Sequence, residues 1–215
     1  FAAGEDLDRC PRTLEADLVL CADAGADVVF SPSVDEVYPG GEPDVTVEAG
    51  PLGTILEGAV RPTHFRGVLT VVAKFFGLVR PDIAVFGEKD YQQLVLIKRM
   101  VSDLCMPVQV VGAPTVREDG GLAQSSRNRY LSDEQRSAAL VLNKALRAAV
   151  DNALTEDVAR AAALEVLAEQ PEITIDYLEF RSADLEPLQT GTPARVLIAA
   201  RVGTTRLIDN LPITF

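Results

Sequence analysis

A lysine in the first turn of a helix sits against the partial positive charge of the helix N-terminus, and FGEKDYQQL (86–94) places Lys89 in that position. The apolar run Ile83-Ala84-Val85-Phe86 reads as a strand, Gly87 turns the chain, and Glu88, Lys89 and Asp90 crowd the corner before the next helix. Beyond the carboxyl end of a strand in an open parallel sheet, such a corner offers unpaired N–H groups to an anion. Gly87 permits close backbone approach, and the lysine adds a mobile point charge suited to phosphate oxygens. A purely structural reading also fits most of the stretch. Asp90 followed by Gln93 has the spacing of a capping box, and both carboxylates complement the helix dipole. Only Lys89 is left without a role by that reading.

A second cluster lies in LAQSSRNRYL (122–131), where Ser125, Ser126, Arg127 and Arg129 fall within five residues. Two hydroxyls and a planar, two-pronged guanidinium suit phosphate binding. A solvated turn before the helix beginning at Ser132 is the alternative. Lys89 and Arg127 on opposite sides of an interdomain cleft would make a site of common form. His64, the single histidine, stands at a helix start and reads either as a general base or as a packed polar group. Glu15 and Asp17 are two apart on a helix and do not face each other, so they read as exposed helix charges.

The composition narrows the classes. The 215 residues carry a formal charge of −12, which disfavours nucleic acid and anionic membrane as partners and obliges a phosphate site to gather its few cations locally. A hydrophobic content of 47% with 24% charged residues describes a globular chain, and no apolar run reaches the ~20 residues of a membrane span. Cys10, Cys21 and Cys105 form no C-x-x-C pair, so reduced thiols and a cytoplasmic setting are expected, with no secretory signal at the start.

Periodicity sets the frame around the two clusters. Helices are predicted over 13–24, 64–78, 90–105, 132–153 and about 156–169, the fourth opening with the capping box Ser132-x-x-Gln135. Strands are predicted over 27–30, 45–47, 83–86, 108–111, 173–180, 195–202 and 205–208. Strand–helix–strand alternation with nearly continuous apolar strands predicts an α/β unit whose parallel sheet is covered on both faces. Two helices with antiparallel strands predict a small α+β domain after it. The division is placed at residues 1–114 and 115–215.

Taken together, FGEKDYQQL, PTVRE (114–118) and SSRNRYL (125–131) resemble the pantothenate synthetase (pantoate–β-alanine ligase) family, of the cytidylyltransferase-like superfamily. AGEDLDRCPRT, the LEG at 56–58, RPTHF (61–65) and RVGTTRLIDN support it, so the resemblance runs from Phe1 to Phe215. It implies ATP- and Mg²⁺-dependent condensation of pantoate with β-alanine: pantoyl adenylate and pyrophosphate form first, then β-alanine releases AMP and pantothenate. It further implies a Rossmann-like nucleotide domain followed by a small α+β C-terminal lid, and a homodimer. By position, Gly87, Glu88, Lys89 and Asp90 match the family's ATP-binding turn, Gln93 a pantoate contact, and Val116, Gln124, Ser125, Ser126 and Arg127 further ATP contacts. Lys89, Ser125, Ser126 and Arg127 would stabilise charge during the reaction. No metal ligand is assigned; Asp17 is weighed and set aside.

Gln124 stands where the family commonly has an apolar residue, and Cys10 where an aromatic is often found. The family's HIGH-like segment, with its catalytic histidines, belongs before Phe1, as do the first strands of the domain. The 215 residues alone are therefore expected to be inactive and poorly soluble. Rival readings are another adenylate-forming or nucleotidyl-transferring enzyme of this plan, and a non-catalytic fragment that keeps the fold.

Overall fold

The computed structural model describes residues 13–189 and 191–215. Along the chain it runs α1 (Leu14–Asp23), α2 (Val34–Val37), α3 (Glu57–Val60), α4 (His64–Val79), β1 (Ile83–Gly87), α5 (Tyr91–Asp103) and β2 (Gln109–Ala113). After these come α6 (Asp133–Asp151), α7 (Glu156–Leu167), β3 (Thr174–Ser182), β4 (Ala194–Val202) and β5 (Thr205–Ile213). Single 3₁₀ turns cover Pro51–Thr54, Glu88–Asp90 and Ser126–Tyr130.

β1 and β2 pair in parallel, Ile83 opposite Gln109 through Gly87 opposite Ala113, with α5 as the crossover. Apolar residues of α4 and α5 (Phe65, Leu69, Val72, Leu96, Ile97, Met100) pack against Phe86 and Val110 from the sheet. This bears out the α/β class, with one correction. The strands are covered on one face only among the described residues, since Ile83 and Val85 are 57% and 63% exposed.

The two strands predicted nearer the N-terminus are also corrected, because a strand needs a laddered partner for its backbone and none of the described residues supplies one there. Val47 N–H instead donates to Thr70 Oγ1 at 3.0 Å. Phe30 sets its ring edge-on to Phe75, with 6.1 Å between centroids.

The second half is a three-stranded antiparallel sheet, β3-β4-β5, backed by α6 and α7. α6 begins with the capping box expected: Gln135 N–H donates to Ser132 Oγ at 3.2 Å, and Ser132 N–H to Gln135 Oε1 at 3.1 Å. β5 runs five residues beyond the strand predicted over 205–208, reaching Ile213 despite Pro212. As the last strand of the sheet it tolerates a residue without an N–H.

The period of two divides this sheet's side chains. Val196, Ile198, Ala200 and Val202 of β4 and Leu178 and Phe180 of β3 face the helices with Leu142, Leu146 and Ala163. Arg195, Leu197 and Tyr177 lie on the opposite face, where Leu197 joins Leu56, Val95 and Leu185 in a separate apolar cluster with Tyr91 and Tyr177 at its margin. β4 is thus buried on both sides, and the antiparallel sheet is joined to the parallel unit by a small core of its own.

Candidate functional site

Glu88–Asp90 form a 3₁₀ turn at the mouth of β1, and α5 proper begins at Tyr91. The capping box expected from Asp90 and Gln93 is not made: Asp90 makes no side-chain cap bond, and its carboxylate lies 3.6 Å from Lys89 Nζ. Asp90 does occupy the N-cap position, but the preceding 3₁₀ turn leaves its backbone at φ −89° and ψ 60°, not in the extended form of the Ser132 cap. At Gly87, φ is −69°, open to any residue, and a Cβ there would meet nothing within 4 Å.

The paired glutamines divide their work. Gln92 is buried; its Oε1 accepts from Glu57 N–H at 2.9 Å and its Nε2 donates to Leu52 O and Ile55 O at 2.7 and 2.9 Å, pinning the 52–57 loop to α5. The neighbouring Gln93 lines the cleft between the parallel unit and the antiparallel sheet.

On the other side, residues 116–124 fold back as a short hairpin. Gln124 N–H donates to Val116 O at 2.9 Å, and Glu118 N–H to Leu122 O at 2.8 Å. Ser125 then caps the next 3₁₀ turn, its Oγ accepting from Arg127 N–H at 3.2 Å. Buried Asn128 donates to Glu118 Oε1 at 2.7 Å and Ala123 O at 3.0 Å, and Arg136 pairs with Glu118. The polar run read as phosphate ligands or as a solvated turn is therefore a built turn, braced from beneath.

The tertiary structure brings Lys89, Asp90, Gln93 and Arg127 onto one cleft, with His64, Tyr91, Tyr177 and Asn210 also on its walls. Ser125 joins Lys89 and Arg127 around an adjoining crevice. Val116, Gln124 and Ser126 line neither space. Glu88 turns its carboxylate to Arg195, 3.3 Å away. A larger cavity of about 580 Å³ lies elsewhere, against Tyr38, Glu42, Arg66 and Thr70, with His64 on the wall between it and the cleft. Size does not make it the better candidate, because the convergent cations are in the cleft. Glu15 and Asp17 lie exposed on the first turn of α1, as expected of helix charges. Cys10 lies outside the described residues. No group of three or more metal-ligating side chains occurs among the described residues, and no helix there is long and apolar enough to cross a membrane.

Sequence reasoning missed the residues that hold the cleft together. Arg206 reaches from β5 to Glu57 with Nη1–Oε2 and Nη2–Oε1 distances of 2.6 and 2.8 Å, while its Nε meets Asp176 Oδ2 at 2.6 Å. Tyr177 O–H donates to Glu57 Oε1 at 2.8 Å. Gly58 follows Glu57 because a Cβ there would stand 1.9 Å from Gly53 O. The LEG stretch is thus a clasp: Leu56 in the joint core, Glu57 for the arginine, Gly58 for close backbone contact. Arg117 likewise ties the hairpin to β5 through both oxygens of buried Asp209, at 2.7 and 2.9 Å. The available signal was the four-residue spacing of Arg206 and Asn210 in TRLIDN, which puts both on one face of a strand.

Burial, and then the Glu57 carboxylate, push the Tyr177 phenol well above its ordinary range. The folded protein therefore keeps this proton after the unfolded chain has lost it. Its contribution is complete below about pH 10, then declines with rising pH by up to about 1.4 kcal/mol per unit. Urea unfolding from about pH 8 to about pH 11 is expected to show a shallower alkaline decline for Tyr177→Phe than for the parent. Parallel declines would refute the assignment.

Comparisons with known proteins agree with this architecture. The family model described as pantoate-beta-alanine ligase matches residues 1–212. A pantothenate synthetase of Nocardioides sp. is 65% identical over 99% of this chain, which spans 65% of that relative's length. The crystal structure of pantothenate synthetase from Thermus thermophilus superposes with a TM-score of 0.92 at 50% identity, covering 100% of this chain and 80% of that one. The pantoate-beta-alanine ligase of Francisella tularensis, crystallised with beta-gamma ATP and beta-alanine, gives 0.76 at 31% identity over 96% of this chain and 72% of its own. With the family model covering nearly every residue and the same fold recurring at half identity, the chain belongs to the pantoate-beta-alanine ligase family.

Proposed function

We propose that this chain carries the nucleotide and pantoate sites of an enzyme that condenses pantoate with β-alanine at the expense of ATP. The observation that supports it most is the convergence of Lys89 and Arg127, from opposite sides of the chain's plan, on one cleft that also holds Gln93. In an acidic chain, two cations gathered on one space suit an anionic ligand. The family relationship and the Francisella tularensis complex with beta-gamma ATP and beta-alanine support a nucleotide as that ligand.

In this reading Gln93 orients pantoate so that its carboxylate oxygen attacks the α-phosphorus of ATP. The bond to the bridging oxygen breaks, and pyrophosphate leaves with the electron pair. Lys89 and Arg127, with Ser125 and Ser126 beside them, offset the charge that gathers on the phosphoryl oxygens. The amine of β-alanine then attacks the acyl carbon, and AMP departs. Asp90 adds a nucleotide contact from within the cleft, and Gly87, Glu88, Val116 and Gln124, which lie outside its present walls, are assigned nucleotide contacts by the family resemblance alone. Gly87 fits that role, for the space beside its Cα is open to a ligand. Gln124 presents an amide where an apolar residue commonly packs.

The donor set also fits Mg²⁺. This ion prefers one or two carboxylates plus phosphate oxygens to an all-protein cage. Of the carboxylates on the cleft, Glu57 and Asp209 are each held by an arginine, whereas Asp90 is half exposed beside Lys89. Asp90 would hold the ion, which neutralises phosphate charge when bound.

The cleft encloses about 30 Å³, against roughly 300–1,000 Å³ for ordinary ligand sites. Admission of ATP therefore requires the cleft to open and its side chains to make room before it closes again over the nucleotide. We assign residues 1–114 and 115–215 as the two bodies whose movement opens it, in a cytoplasmic homodimer. The test is AMP formation from ATP, Mg²⁺ and pantoate, with and without β-alanine, by protein expressed from the whole gene. β-Alanine-dependent AMP release is the expected result. AMP release with a different acceptor, or none at all, would replace the reading with a related adenylate-forming enzyme or a non-catalytic fragment.

A further inference from the structure

Asn210 makes contacts that bear directly on where Lys89 stands. Its Nδ2 donates to Glu88 O and to Lys89 O, each at 3.0 Å, so one amide from β5 grips both peptides of the turn that carries the lysine. Its Oδ1 accepts from Arg195 Nη1 at 2.6 Å. Arginine has only donors and a carbonyl only acceptors, so the amide has one orientation that satisfies every partner. Asn210 is also buried.

The partner holding that orientation is itself fixed on three sides. Arg195 is buried on β4, its guanidinium lies 3.8 Å from the centroid of the Tyr91 ring, and its Nη2 is 3.3 Å from Glu88 Oε2. Tyr91 O–H in turn donates to Ala183 O at 2.8 Å. One residue earlier on β5, Asp209 holds Arg117 of the hairpin and accepts from Asn210 N–H at 2.7 Å. Two adjacent residues therefore anchor both walls of the cleft to one strand, Asp209 the Ser125–Arg127 wall through the hairpin and Asn210 the Lys89 wall.

We infer that Asn210, oriented by Arg195, is a positioning residue that sets Lys89 against the Arg127 side of the cleft when the two bodies meet. The antiparallel sheet then does more than cover bound substrate. It completes the geometry of the phosphate-binding turn, and only in the closed state. The inference rests on the assignment of Lys89 to phosphate binding in its mechanistic part, and on the geometry alone in its structural part.

The experiment uses Asn210→Ala and Asn210→Asp in protein expressed from the whole gene. The aspartate is the same size and keeps a partner for Arg195, but turns an acceptor toward two carbonyls; it carries the test should the alanine variant fail to fold. The first readout is competitive amine labelling followed by mass spectrometry, with exposed Lys98 and Lys144 as internal references. Lys89, whose side chain is 18% exposed, is expected to label several-fold faster in the variants while the references hold. An unchanged Lys89 rate overturns the inference whatever the protein does with ATP.

The second readout is single-turnover chemistry. Pantoyl-adenylate formation is expected to fall about 100-fold, the scale of a displaced reacting group. Reaction of supplied pantoyl adenylate with β-alanine should stay near the parent rate. An equal fall in both half-reactions would show a merely structural role and overturn the positioning claim. A parent protein that labels as expected but makes no pantoate-dependent AMP would overturn the functional reading and leave the Asn210 contact standing.

Discussion

Replacing Lys89 with alanine is expected to slow pantoyl-adenylate formation by about 100- to 1,000-fold, the range found when one preorganised donor is removed from developing charge. The expectation rests on placement. Lys89 pairs only loosely with Asp90, at 3.6 Å, and its position at a helix start opposes the dipole, so the fold gains little from keeping it. Thermal stability should therefore move little, and the loss should fall on the chemical step more than on binding of pantoate. Rapid-quench measurement of AMP and adenylate over one turnover separates these. A rate within about twofold of the parent would end the assignment of Lys89 to the phosphates.

Arg206→Met should be as damaging to the fold as Lys89→Ala is to the chemistry. The guanidinium meets two carboxylates, Glu57 and Asp176, and all three side chains are at most 16% exposed. Methionine roughly preserves volume but leaves two acids in a low-dielectric joint, where loss of one partner of a buried pair costs about 3–5 kcal/mol. Glu57 retains Tyr177 O–H and Asp176 retains Arg201 at 3.3 Å, so the lower part of that range is expected. Urea unfolding of the parent, of Arg206→Met and of Glu57→Gln/Arg206→Met checks the account. The double variant should recover part of the loss because its remaining amide is neutral. A change below about 1 kcal/mol in the single variant would show that the joint is held by the Leu56–Leu197 core and not by its charges.

These expectations show where local and tertiary information part. Helices α4 to α7 were legible because each repeats an apolar face at helical spacing, and α6 announces its start with Ser132 and Gln135. β1, β2, β3 and β4 were legible as apolar or alternating runs. The extended segments near Phe30 and Val47 were misread as strands, since a run of β-branched residues is equally compatible with a loop whose N–H finds a threonine hydroxyl. β5 was cut short because the ladder with β4 continues past Pro212, and nothing local reveals an edge position.

Lys89 and Arg127 stood out from the sequence alone: one is electrostatically misplaced in its own helix, and the other sits in an unusual concentration of donors. Their meeting across a cleft followed from reading two domains around them; the strand that ties the two walls together did not. Arg195, Arg206, Asp209 and Asn210 read singly as ordinary polar residues of a strand. Their partners Glu88, Glu57, Arg117 and the Lys89 peptide lie far away along the chain. Local propensity is decided over a few residues. A hydrogen bond between two folded bodies is decided only after both cores have formed, so the sequence by itself determined which groups were available, and the tertiary structure decided which of them would meet.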